Sequence, residues 1–198
     1  QLATQVSDRH EATVRAVCAQ LPSITKVGMA ALLPGAGEDF RVTIEGGELV
    51  PVVKGKMMPS LTQRLAYITE VIGPNRFASI ELSELLEGKN LDKIKQTEVL
   101  VVRTSDIDQL GENTPSYLAG QLRGAVSDLQ WALNRLADAG FQVAVLATDH
   151  GFCLFDSASS GASIPKPPDG EWVEVKNRAL LGAGQPNAQV VCVEADHV

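Results

Sequence analysis

The sequence predicts an α/β fold, a mostly parallel sheet sandwiched by helices with a small β-hairpin excursion. Three observations carry that expectation. Two nearly unbroken apolar runs, Thr97 to Arg103 (TEVLVVR) and Phe141 to Ala147 (FQVAVLA), read as strands buried on both faces, as in parallel sheets covered by helices. Between them, Tyr117 to Ala139 carries the stripe Leu118, Leu122, Val126, Leu129, Leu133 and Leu136 and closes at Gly140, so strand, long helix and strand make a right-handed crossover. Phe40 to Lys56 holds two short alternating runs, FRVTI and LVPVV, joined through Glu45-Gly46-Gly47-Glu48. That is a hairpin signal, and Pro51 points to an edge strand.

The remaining elements follow in order. Asp8 and Glu11 have capping-box spacing, and Ala12, Val14, Ala16, Val17 and Leu21 predict a helix to about Gln20, with His10 a solvated residue of its first turn. Leu21-Pro22-Ser23-Ile24-Thr25 reads as a loop, followed by a helix over Lys26 to Leu33 that Pro34-Gly35 stops. Thr25 therefore stands at or beside a helix N-terminus. Its hydroxyl either caps the helix or meets a phosphoryl or sulfuryl group there, beside free amides and the helix dipole. Ser60 to Ile72 has helical spacing and ends at Gly73-Pro74-Asn75, and Phe77 to Ile94 reads as a short helix or turn pair with Ser83 as cap. Ser157 to Gly170 is a Ser/Gly/Pro-rich loop. Trp172 to Val175 and Gln189 to Glu194 read as closing strands, with Arg178 to Gly182 between them and His197 at a frayed end.

Composition narrows the function classes. At 198 residues, 44% hydrophobic and 21% charged, the chain fits one globular α/β domain and not a disordered segment, and no apolar run approaches a bilayer's thickness. A formal charge of -7 argues against a protein that lives on nucleic acid phosphates. Cys18, Cys153 and Cys192 show no paired spacing, which fits reduced thiols in the cytoplasm, with Cys153 a buried, inert one. The opening Gln1-Leu2-Ala3, without initiator Met or signal-peptide core, reads as the start of a piece of a longer chain.

The candidate chemistry gathers at two loops. Thr148-Asp149-His150-Gly151-Phe152 follows the second apolar run, where open α/β sheets place their ligands. Asp149 and His150 offer a hard oxygen and a borderline nitrogen that zinc or manganese can use, and Gly151 lets the backbone turn sharply or approach a ligand. The plainer alternative is that Asp149 caps a turn. After the first run, Thr104 to Asn113 holds Asp106, Asp108 and Glu112; Asp108 and Glu112 meet on one ion if this loop makes a helical turn. The crossover is expected to bring both loops to one sheet edge.

With these residues in hand, the chain resembles the alkaline phosphatase superfamily, and more closely its PglZ domain branch. The likeness spans most of the chain and is strongest in Leu21 to Gly35 (LPSITKVGMAALLPG), Pro59 to Ala66 (PSLTQRLA), the loop at Arg103-Thr104-Ser105-Asp106, and Thr148 to Phe152 (TDHGF). The resemblance implies a two-metal hydrolase in which a Thr or Ser attacks a phosphate or sulfate ester and is carried as a covalent intermediate until water releases it. Thr25 matches the nucleophile of the Pro-Ser-x-Thr motif, Asp149 and His150 match ligands of the metal shared with it, and Asp108 matches the first ligand of the other site. Zinc is the implied metal, with manganese second. Such domains occur in bacterial phage-resistance systems of the BREX and phage-growth-limitation type, which implies protein partners in a defence complex.

Three departures stand out. The superfamily's first metal Asp has no counterpart, Glu112 stands where Asp-x-x-Gly-His has its His, and Asn177 occupies the region of the later His. The expectation is a single PglZ-type domain over residues 1–198, cytoplasmic, acting on a phosphodiester or phosphomonoester in the longer parent, with little or no turnover by these residues alone. Two alternatives stand beside it: a scaffold or interaction domain that keeps the fold without a working centre, and an unrelated doubly wound nucleotide binder. No glycine-rich phosphate loop follows any strand, which counts against the latter.

Overall fold

A computed structural model describes residues 2–89, 94–113, 118–151, 168–176 and 179–184. In chain order its elements are α1 (Leu2–Val6), α2 (Thr25–Ala31), β1 (Phe40–Glu45), β2 (Glu48–Val53), β3 (Lys56–Met57), α3 (Leu61–Ile72), β4 (Phe77–Glu81), α4 (Leu82–Leu86), β5 (Val99–Arg103), α5 (Asp106–Asn113), α6 (Leu118–Asp138), β6 (Gly170–Lys176) and β7 (Ala179–Gly184). They fall into two compact units. One comprises Gln1–Val17 with Tyr67–Leu146, the other Cys18–Ala66 with Ala147–Val198, the division passing through α3.

The first unit is built on the parallel pair β4 and β5, in register from Phe77 opposite Val99 to Glu81 opposite Arg103. Arg103 ties the strand ends together: Nε donates to Ser79 Oγ at 3.0 Å and Nη1 meets Glu81 at 2.8 Å. Its core is Ile80, Leu82, Leu85, Ile94 and Ala132, ringed by Leu100, Val102, Leu129, Leu136 and Phe141, so α4 and the C-terminal half of α6 cover the pair. Gln130 Nε2 donates to Gln5 O at 2.9 Å, and His10 Nε2 lies 2.9 Å from Asn134 Oδ1. His10 is thus a half-buried bonding partner of α6 rather than a solvated residue.

Four expectations in this unit need correction. No helix spans Asp8 to Gln20; α1 ends at Val6, and residues 11–20 have no regular hydrogen bonding, with Val14 and Val17 exposed. Ala12, Val14, Ala16 and Cys18 also repeat with period two, and this extended pattern competes with the helical one. Phe141 to Ala147 is not a buried strand either: Val143 and Val145 are 81% and 84% exposed. A β-branched run becomes a strand only where a neighbour supplies a ladder, and β5 has β4 as its one partner among the described residues. The parallel sheet is accordingly two strands wide there, with no wider sheet for helices to sandwich. Finally, Phe77 to Glu81 is a strand, and α4 is capped not by Ser83 but by Glu81, which forms a capping box with Glu84.

The second unit holds the hairpin. Glu45 pairs with Glu48, so Gly46 and Gly47 are the whole turn, and their φ values of 60° and 84° are those a two-residue type I′ turn demands. β2 lies between β1 and β3, which makes it the central strand rather than the expected edge. Pro51 is tolerated because β3 pairs only with Val52 and Val53; beyond them Pro51 needs only its carbonyl, which accepts from Met58 N at 2.8 Å. β6 and β7 form a second antiparallel hairpin, so Ala179 to Gly182 is strand where a connection was expected. Gln189 to Glu194, Cys153, Cys192, Asn177 and His197 lie outside the described residues. Among the described residues no helix is long and apolar enough to cross a membrane.

Candidate functional site

The site in the second unit starts from helix α2. Ile24, Val27 and Ala30 recur at helical spacing and are buried; Ile24 and Val27 pack with Leu49 against Phe40, Val42 and Leu181. This apolar face docks α2 on the β1–β2 hairpin and on β7. Ile24 is the N-cap, with extended φ and ψ of -115° and 147° and no side-chain cap bond, so Thr25 is the first helical residue. Thr25 is exposed, and no hydrogen bond among the described residues uses its hydroxyl. The capping role considered for it is therefore not the one it fills.

Asp149 comes to the same helix from far along the chain. A β-carbon placed at Gly28, one turn after Thr25, would lie 2.6 Å from Asp149 Cβ and 2.9 Å from Asp149 O. His150 follows, and the two side chains are 11% and 5% exposed, with His150 Nε2 3.7 Å from Asp149 Oδ2. Nδ1 of His150 sits 3.4 Å from Gly151 O. With Nδ1 as the protonated nitrogen, Nε2 keeps its lone pair on the side of Asp149. Asp149 Oδ2 is buried and has no hydrogen-bond partner among the described residues.

Two cationic side chains belong to this unit. Burial pushes the Arg64 guanidinium below its usual value, and the negative charge of Asp149 works in the opposite direction. Arg64 Nη1 donates to Met58 O at 3.3 Å and Pro59 O at 3.5 Å, which holds the start of α3 to the end of the hairpin sheet. Lys26, next to Thr25, pairs with Glu174 of β6 at 3.0 Å, both largely buried, and so links α2 to the second hairpin.

The donor chemistry of Asp149 and His150 fits one side of a divalent ion: a buried carboxylate oxygen without a partner is costly unless a proton or a cation meets it. Among the described residues no group of three or more His, Cys, Asp or Glu side chains is placed to hold a metal ion. Asp108 and Glu112 lie in the first unit, four apart on α5, so the helical turn on which their pairing depended is present. Asp108 is half-buried.

Thr25, Asp149 and His150 were singled out by residue type, whereas Gly28, Arg64 and the Lys26–Glu174 pair were not. One signal was available for Gly28, since a glycine inside a short helical pattern weakens the helix and calls for a packing reason. Nothing local marks Arg64 or Glu174.

A threonine hydroxyl at the head of a helix, with an Asp-His pair carried to the same unit by the distant loop, is the arrangement expected of an alkaline phosphatase-like domain. Comparison with family models agrees: the BREX system PglZ alkaline phosphatase-like domain matches residues 1–197. The chain belongs to the PglZ family, which sets it in the context of BREX phage defence. No curated protein and no solved structure matches it.

Proposed function

We propose that these residues form one alkaline phosphatase-like domain and the core of a metal-dependent phosphoesterase, with Thr25 as its nucleophile. The observation that carries this reading is the seating of Asp149 on α2 one turn from an exposed threonine whose hydroxyl is committed to no other bond. Asp149 and His150 would hold one divalent ion, zinc or manganese; Asp108 and Glu112 would serve a second. Bound there, such ions supply charge neutralisation at the phosphoryl oxygens and a lower pKa for the attacking hydroxyl.

The chain's own part is covalent. Thr25 Oγ1 bonds to phosphorus as its proton leaves to solvent and the ester P–O bond breaks, the departing oxygen taking a proton from water. Water then cleaves the phosphothreonine and restores the hydroxyl. Buried Lys26–Glu174 and the Val27 face keep α2 from moving while this happens. We place the protein in the cytoplasm, within a defence complex and acting on a phosphodiester or phosphomonoester.

The test is hydrolysis of bis-p-nitrophenyl phosphate with zinc or manganese by the full-length polypeptide that contains these residues. Thr25→Ala and Asp149→Ala should each lower turnover by about a hundredfold or more. Residues 1–198 alone should turn over little. A stable, metal-free and inert full-length protein would favour a second reading, a scaffold that keeps the fold. That reading draws on Glu112, which stands where a His is expected, and on the lack of a three-residue ligand group among the described residues.

A further inference from the structure

Gly28 lies inside a seven-residue helix, a place where glycine weakens the element relative to alanine. Its backbone does not call for glycine, because it is not among the residues with positive φ. Space calls for it. A β-carbon there would stand 2.6 Å from Asp149 Cβ, 2.9 Å from Asp149 O and 3.1 Å from Asp149 Cα. Two of these atoms are main chain and the third is fixed to it, so none can swing aside as the tip of a long side chain would. Gly28 is buried, and it is three residues from Thr25, a spacing that puts both on one face of α2.

We infer that Gly28 is a positioning residue, a notch in α2 that seats the Asp149 main chain and thereby sets the separation of Asp149 from the Thr25 hydroxyl. The seat stands on packing alone; its catalytic consequence rests on the proposed hydrolase reading. A methyl group at this position lifts the Asp149 loop off the helix, and the Asp149 carboxylate moves away from Thr25 with it. His150, bonded next in the chain, is displaced as well.

The experiment is a mutant cycle on thermal unfolding of the chain, with Gly28→Ala, Asp149→Gly and the double variant. Gly28→Ala should lower the unfolding midpoint, although alanine ordinarily strengthens a helix, and the loss should shrink by at least half in the Asp149→Gly background, where the opposing Cβ is gone. A midpoint that rises, or an equal fall in both backgrounds, overturns the inference. Should Gly28→Ala alone fail to fold, recovery of folding by Asp149→Gly supports the seat and failure to recover overturns it. In bis-p-nitrophenyl phosphate hydrolysis by the full-length polypeptide, folded Gly28→Ala should lose at least tenfold in kcat with KM within twofold, a split that a purely structural glycine would not produce. Full kcat in that folded variant overturns the inference. Coupling in the unfolding cycle with an inert parent keeps the seat and removes the hydrolase reading, so the two fail separately.

Discussion

Val27→Ala tests whether the apolar face of α2 is what holds the threonine helix in place. Val27 is fully buried among Ile24, Leu49, Phe40, Val42 and Leu181. Removing its two outer methyl groups forfeits about 1.6 kcal/mol of transfer free energy at roughly 0.8 kcal/mol each. The space left behind adds about 1 kcal/mol, since the hairpin and β7 relax only in part. Alanine's better helix propensity returns about 0.5 kcal/mol. The net loss is about 2 kcal/mol. In urea this moves the unfolding midpoint of the second unit down by about 1 M, read by circular dichroism with the two units followed separately if their transitions split. Val14→Ala, at a position 79% exposed, is the control and should stay within about 0.5 kcal/mol. If Val27→Ala costs no more than Val14→Ala, the packing of α2 is not what fixes Thr25.

Two further predictions concern the first unit. Arg135 Nη1 donates to Leu85 O at 3.0 Å and Leu86 O at 2.8 Å, the terminal carbonyls of α4, while its guanidinium lies 5.0 Å from the Trp131 ring centre. Arg135→Ala should cost about 2 kcal/mol, the scale of charged hydrogen bonds lost from a helix end, and amide hydrogen exchange across α4 should accelerate; unchanged protection would show that α4 does not depend on this clasp. On the surface, a 2.7 Å hydrogen bond from Arg76 holds the Glu98 carboxyl below the usual glutamate range and raises Arg76. Because the folded-state value is the lower one, this contribution is present above the unfolded glutamate pKa of about 4.3 and is lost as pH falls through the folded value. Arg76→Ala should bring the Glu98 titration midpoint, followed by NMR, back up; a midpoint that stays put would mean the contact is not formed in solution, and added salt should shrink the effect.

What the sequence made legible is what neighbouring residues decide among themselves. The leucine stripe of α6, the Ser60 to Ile72 helix with its stop at Gly73, and the Gly46-Gly47 turn are local statements, and each element lies where its pattern put it. The misreadings share a different property. Residues 12–18 and 141–147 carry strand chemistry, yet a strand exists only when another chain segment lends it hydrogen bonds. β4 is the converse case: Phe77 to Glu81 looked like a turn region and became a strand because β5 lies beside it in register.

The site divides along the same line. Thr25, Asp149 and His150 announce themselves by what they are, a nucleophile and two ligand types beside punctuating residues. Gly28 and Arg64 matter for what they touch, and that is set by a loop more than a hundred positions away from the helix in one case and by the burial of α3 in the other. Residue type therefore finds the atoms that can react, while the groups that set their spacing emerge only from packing. For this chain the consequence is specific: a relative that keeps threonine and the Asp-His pair but carries a side chain in place of the α2 glycine would have every reactive group and no seat to hold them together. Gly28 is for that reason the position at which a working centre and a retained but inert fold would part company.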